Sequence, residues 1–106
     1  MKSKRAAFRF PCQHQRVRFK TAYEDGEASL LNISTDGCAL QSPSVPLTIN
    51  EKILITIIPE GQEESFEARS RIVRVDNDVL GLQFTVLELS TKTQIRNYFS
   101  RKFRES

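Results

Sequence analysis

Short segments in which apolar and polar residues alternate, separated by turn-forming residues, constrain this chain more than any other feature. Val17 and Phe19 fall on one face of the first segment, and Arg16, Arg18 and Lys20 fall on the other. This period is typical of a strand with one buried face. Further strands are predicted at residues 28–33, 38–41, 52–58, 66–75 and 79–86.

Turn-forming residues separate these strands. An Asp-Gly dipeptide predicts a hairpin turn over residues 24–27, and a second tight turn is predicted at residues 35–37. Residues 42–46 include two prolines and are predicted to form a connection outside any central strand. Such short connections are typical of an antiparallel sheet.

A helix is predicted only near the end of the chain, at about residues 90–105. Thr91 and Gln94 have the spacing of a capping box. The apolar residues that follow recur at helical spacing; they are Ile95, Tyr98, Phe99 and Phe103. The predicted fold is an all-β domain, a small antiparallel β-barrel of six or seven strands capped by one C-terminal amphipathic helix.

The 106 residues are enough for one domain. The longest apolar stretch, residues 53–58, is far shorter than the ~20 residues of a membrane span. No signal peptide is visible, and two cysteines are too few for a disulfide scaffold, so a cytoplasmic protein is expected. Cys12, His14 and Cys38 offer three metal ligands without the paired spacing of a zinc site. We expect no metal, no cofactor and no enzyme, and we expect Cys38 to be a core residue.

Positive charge is concentrated at the start of the chain. The first twenty residues contain seven lysines and arginines and no acidic residue, whereas the whole chain carries a net charge of +3. This local excess favours an anionic partner, whether a nucleotide, nucleic acid, lipid headgroups or an acidic protein. Because residues 1–12 lack strand or helix periodicity, we expect a flexible basic arm there and a barrel domain over residues 13–106.

A cluster of small polar residues ends the second predicted strand. If Leu31 and Ile33 point into the core, Asn32 and Ser34 share the outer face about 7 Å apart. Gly37 can adopt a positive φ and lets a ligand approach the backbone. A polar strand end that is closed by a serine-capped turn would show the same residues.

Arg5 and Arg9 stand four residues apart. Asn32 follows 23 positions after Arg9, and Ser34 and Gly37 come shortly after it. This order resembles the PilZ domain, the cyclic-di-GMP receptor module of bacteria, whose signature is RxxxR followed by [DN]xSxxG. The predicted closing strands and terminal helix also resemble the family, so the likeness covers nearly the whole chain. Only four residues precede the first arginine, and we therefore expect a stand-alone, single-domain member.

The resemblance implies a cyclic-di-GMP site. Its residues would be Lys4, Arg5, Arg9, Asn32, Ser34 and Gly37. The arginines would hold guanine edges and phosphate, and the lysine a phosphate. The asparagine would face a guanine edge, the serine would reach phosphate or base, and the glycine would leave room. Because the family often has aspartate in place of the asparagine, whose amide offers one acceptor only, weaker binding is expected. A β-bulge is predicted from the phase shift at residues 72–75 and leaves the face of Arg74 open; we expect Arg74 to face solvent, and a position facing the ligand is the alternative.

The ligand is expected to order the arm over the barrel and so change a surface that a protein partner binds. That partner would belong to the motility, exopolysaccharide or regulatory machinery; nucleic acid and a membrane span are not expected. Two alternatives stay open. One is a basic barrel that binds single-stranded nucleic acid, with Phe8 and Phe10 as stacking residues. The other is a PilZ-like protein-interaction module without nucleotide.

Overall fold

The computed structural model describes residues 9–58 and 65–105. The elements within these ranges are β1 (Phe10–Lys20), β2 (Asp25–Ile33), β3 (Gly37–Gln41), β4 (Lys52–Ile57), β5 (Phe66–Asp76), β6 (Val79–Val86) and α1 (Leu89–Glu105). The strands form a closed antiparallel barrel in the order β1-β2-β3-β6-β5-β4. The predicted fold class is therefore confirmed. Over the described residues, we find no helix with the length and apolar character needed to cross a membrane.

The core lies inside the barrel and under α1. Inward-facing residues of the strands fill the interior, and those exposed by 2% or less include Val17, Phe19, Leu30, Ile33, Cys38, Leu40, Ile55, Ile57, Ile72 and Leu80. α1 contacts β1 and β5. Its buried Tyr98 and Phe99 rings lie 6.1 and 6.3 Å, centroid to centroid, from the Phe66 ring. The predicted apolar stripe of the helix thus covers one side of the barrel, as expected from its spacing.

α1 begins earlier than the capping-box pattern predicts. The carbonyl of Glu88 accepts the first helical hydrogen bond, from the backbone N–H of Lys92 at 3.0 Å. Thr91 therefore lies inside the first turn of the helix, so its predicted role as the N-cap is wrong.

The first hairpin turn lies at residues 21–24, so the prediction of an Asp-Gly turn is wrong. The hydroxyl of Thr21 accepts hydrogen bonds from two backbone amides of this turn, both at 3.0 Å. Asp25 and Gly26 are instead the first residues of β2. A Cβ on Gly26 would overlap the ring of Phe19, which lies opposite it in β1. This glycine makes room for a core ring and does not form the turn.

β1 begins at Phe10, inside the segment predicted as an arm. Phe10 pairs with Ile33 and Pro11 pairs with Asn32, and the register is then interrupted before Gln15. An irregular position tolerates a proline, which has no N–H to donate. Phe10 is buried in the core. Residues 10–12 therefore belong to β1 rather than to an arm, and residues 1–8 of the predicted arm lie outside the described residues. The division into arm and barrel stays a prediction.

Candidate functional site

One row of outward-facing residues crosses four strands of the barrel. Asn32 of β2 pairs with Ala39 of β3, Ala39 pairs with Gly81 of β6, and Gly81 pairs with Arg74 of β5. Directly paired residues of an antiparallel sheet point to the same face. The two ends of the row are three strand spacings apart, or about 14 Å along the sheet. We call these four residues the trough, because its middle carries only a methyl group and a hydrogen.

A β-bulge at Leu31 places Asn32 on the outer face. Leu30 and Ile33 are both 0% exposed, so both point inward, whereas Leu31 is half-buried and interrupts the register with β3. Without the extra residue, simple alternation from Leu30 would turn Asn32 toward the core. The prediction that Leu31 points into the core is wrong, although Asn32 does face outward as predicted.

Arg9 and Asn32, 23 residues apart in sequence, are in direct contact. Nη1 of Arg9 donates a hydrogen bond to Oδ1 of Asn32 at 2.6 Å. Charge-assisted bonds of this kind are shorter and stronger than neutral ones. The contact joins the second arginine of the RxxxR motif to the first residue of the second motif. Lys4 and Arg5 lie outside the described residues.

Ser34 is buried, and its hydroxyl closes the turn between β2 and β3. Its Oγ accepts hydrogen bonds from the backbone N–H groups of Asp36 at 3.0 Å and Gly37 at 3.3 Å. It also donates to the carbonyl of Gly37 at 3.4 Å. These three bonds use the full capacity of a hydroxyl. The serine-capped turn that the sequence left open is therefore present, and ligand contact by Ser34 stays a prediction.

Gly37 is required by the neighbouring strand. A Cβ at this position would overlap the carbonyl oxygen of Leu82 in β6 and lie 3.2 Å from Cα of Gln83. Its φ lies outside the left-handed region, so the freedom of glycine to adopt a positive φ is not used here. The glycine lets β6 approach the β2–β3 turn, which fixes the turn beside the trough.

Cys38 lies in the interior on β3, one position before Ala39 of the trough. Burial raises the pKa of its thiol to about 12, against a smaller lowering by the nearby charge of Arg9. The thiol is therefore neutral at ordinary pH. Cys38 is a core residue, as its sequence neighbours predicted.

Comparison with protein families gives the identity of this fold. A sequence model of the PilZ domain matches residues 3–101, a range that includes both motifs. This chain belongs to the PilZ family. The predicted resemblance is confirmed. A comparison with curated proteins found no match.

Solved PilZ structures share the architecture of the barrel. The PilZ domain of CeSA from a cellulose-synthesizing bacterium is 21% identical, with a TM-score of 0.69 over 90% of this chain and 98% of that one. The Bacillus subtilis inhibitor of motility, MotI/DgrA, is 17% identical, with a TM-score of 0.81 over 99% of this chain and 54% of that one. Escherichia coli YcgR, in complex with c-di-GMP, is 14% identical, with a TM-score of 0.77 over 96% of this chain and 47% of that one. This chain thus spans about half the length of the last two proteins, and likeness at these identities shows the fold.

Proposed function

We propose that this PilZ domain is a receptor for cyclic-di-GMP, which binds on the outer face of β2 and β3. The observation that carries the proposal is the contact between Arg9 and Asn32, because it joins the two halves of the family signature at 2.6 Å. The family itself supports a receptor role. The E. coli YcgR structure, which is a complex with c-di-GMP, supports the choice of ligand.

The chemistry of the two side chains suits a guanine nucleotide. The guanidinium fork matches O6 and N7 of guanine and also binds phosphate with two bonds. Oδ1 of Asn32 can accept an N–H of a guanine edge. A ligand that separates the Arg9–Asn32 pair therefore offers each partner a replacement, so neither is left without a hydrogen bond. We propose that Arg5 and Lys4 add further contacts to guanine and phosphate.

The second motif holds this arrangement in place. Ser34 closes the turn that follows Asn32, and Gly37 allows β6 to lie against that turn. Both residues are therefore proposed to position Asn32 and the adjoining backbone for the ligand. Direct contact with Ser34 would require its hydroxyl to release the 3.4 Å bond to the carbonyl of Gly37.

The proposed output is a change of surface rather than a reaction. Ligand binding would fix the residues before Arg9 over the trough and so alter the surface seen by a protein target in the motility, exopolysaccharide or regulatory machinery. A ligand shifts such an equilibrium only by its differential affinity for the ordered state. We propose a binding adaptor of the bacterial cytoplasm that has no enzymatic activity and needs no cofactor.

Calorimetric titration with cyclic-di-GMP tests the proposal. We expect the wild-type protein to bind, and Arg9→Ala to weaken binding at least about tenfold, since hydrogen bonds to charged groups contribute ~1.5–3 kcal/mol. Arg18→Ala is the matched control, because Arg18 is exposed on β1 and lies opposite Thr56 of β4, away from the trough. Cyclic-di-AMP should bind poorly, since adenine has a donor where guanine has O6. Equal affinities for Arg9→Ala and Arg18→Ala would refute the proposal.

The nucleic-acid alternative loses one of its two stacking residues. Phe10 is only 9% exposed and packs in the core, so it offers no face to a base. Phe8 lies outside the described residues. The alternative of a module without nucleotide leaves the contact between Arg9 and Asn32 unexplained.

A further inference from the structure

The trough ends at an arginine that belongs to neither signature motif. We infer that Arg74 is a further contact of the cyclic-di-GMP site and that one guanine base stacks on its guanidinium, above β6. This inference rests on the proposed function and adds a second cationic end to the site. It chooses the alternative in which Arg74 faces the ligand over the expectation that Arg74 faces solvent.

A second β-bulge turns Arg74 outward. Ile72 pairs with Leu82 and points inward, whereas Arg74 pairs with Gly81 two residues later, which leaves Val73 as the extra residue. Simple alternation from Ile72 would have turned Arg74 into the core. The bulges at the two ends of the trough thus have the same effect, since each turns a polar side chain onto the outer face of the sheet.

The side chain of Arg74 lies back over the trough. Its Cβ, Nε and Cζ are 3.3, 3.5 and 3.7 Å from the position that a Cβ would occupy on Gly81. The guanidinium carbon is therefore above β6, on the side of Arg74 that faces Ala39 and Asn32. The absence of a side chain on Gly81 is what permits this path, because a methyl group there would press on the Arg74 stem.

The guanidinium of Arg74 is available to a ligand. The residue is exposed, and across residues 9–58 and 65–105 it makes no side-chain hydrogen bond or salt bridge. By contrast, Arg16 pairs with Glu27, and Arg71 donates to Gln83. A planar guanidinium without a carboxylate partner stacks well on a purine face.

The small residues between the two arginines give this part of the sheet a flat surface. Ala39 and Gly81 occupy the two central strands of the row. Ala39 is only 6% exposed, and the Arg74 side chain lies over Gly81, so a bound base would lie on top of the guanidinium. A glycine inside a strand often marks a close approach by a ligand or another backbone. Cyclic-di-GMP has two bases and two phosphates, so it can meet Arg9 at one end of the trough and Arg74 at the other.

Titration of cyclic-di-GMP into three arginine variants tests this inference. We expect Arg74→Ala to weaken binding about fivefold to a hundredfold, the range that loss of one base stack produces. Arg74→Lys should weaken binding nearly as much, because an ammonium keeps the charge but offers no plane for stacking. Arg69→Ala is the matched control: Arg69 is exposed on the same strand and pairs with Leu54 and Val86, beyond the trough. It should bind within about twofold of the wild type, well under the tenfold that ~1.4 kcal/mol represents.

The outcomes separate this inference from the proposed function. If the wild type binds and Arg9→Ala does not, while Arg74→Ala binds as well as Arg69→Ala, the Arg74 contact is overturned and the receptor function stands. Full affinity in Arg74→Lys would overturn base stacking on Arg74. If the wild type fails to bind, both proposals fall. Unfolding midpoints of the variants without ligand show whether each is folded.

Discussion

Replacement of Ser34 by alanine should destabilise the barrel even when no ligand is present. The hydroxyl accepts from two backbone N–H groups, those of Asp36 and Gly37, and the second of these bonds is buried. Alanine removes the acceptor and leaves the Gly37 N–H without its partner inside the turn. The side chain is only 2% exposed, so water does not easily replace the hydroxyl.

The size of the effect follows from these bonds. A buried donor left unsatisfied costs ~1–3 kcal/mol, and loss of a serine cap costs ~0.5–2 kcal/mol. The N–H of Asp36 is only part-buried, so in the variant it can donate to water, and its lost bond adds little to the destabilisation. We therefore expect Ser34→Ala to lower the free energy of unfolding by about 2 kcal/mol. For a domain of about 100 residues this corresponds to a fall in Tm of roughly 8–16 °C.

Urea denaturation of the protein without ligand measures this change. The midpoint should fall while the m value stays constant, since the surface exposed on unfolding is unchanged. Ser90→Ala, at an exposed position in the first turn of α1, is the control and should change stability by less than ~0.5 kcal/mol. If Ser34→Ala were as stable as this control but had lost cyclic-di-GMP binding, the main role of the serine would be to contact the ligand. Our account of the turn would then be wrong.

Three further outcomes are expected. Gly37→Ala should lower the free energy of unfolding by about 3 kcal/mol in urea denaturation, because the new methyl overlaps the carbonyl oxygen of Leu82; an unchanged midpoint would contradict this. Asn32→Asp should tighten cyclic-di-GMP binding by up to about tenfold in a titration, since a carboxylate accepts two guanine N–H groups; equal or weaker affinity would count against the proposed guanine contact. The pKa of Cys38 is raised from 9.0 to about 12, so the free energy of unfolding should be insensitive to this thiol below pH 9 and fall as the pH rises toward 12. Denaturation at several pH values should show this fall, and Cys38→Ala should remove it.

The sequence predicted the architecture well because its barrel strands have a strong period. Val17 and Phe19, for example, alternate with charged residues and are both buried. The bulge in β5 was also predictable, since the apolar phase visibly shifts between Ile72 and Val75. The true position of the first turn was not predictable, because the role of Gly26 is to make room for the Phe19 ring, and this contact exists only once the two strands pair.

The candidate site was predictable in its motif residues and not in its geometry. The spacing of Arg9 and Asn32 in the family signature pointed to their association. The bulge at Leu31 left no trace in the sequence, because a leucine fits either a core or a half-buried position. The place of Arg74 in the trough depends on register across four strands, which no local pattern contains. The bulge predicted from the phase shift at residues 72–75 was the signal in the sequence, and it left open whether Arg74 faces the ligand or solvent.

A two-dimensional amide NMR titration of the isotopically labelled wild-type protein with cyclic-di-GMP tests the central claim most directly. The account predicts the largest shift changes at the side-chain amide of Asn32 and at the backbone amides of Ala39 and Gly81. The amides of Lys52 and Leu54 on β4 should stay unchanged. The account would be contradicted if saturating nucleotide left the Asn32 side-chain signal unshifted, or if it shifted the amide signals of β4 instead.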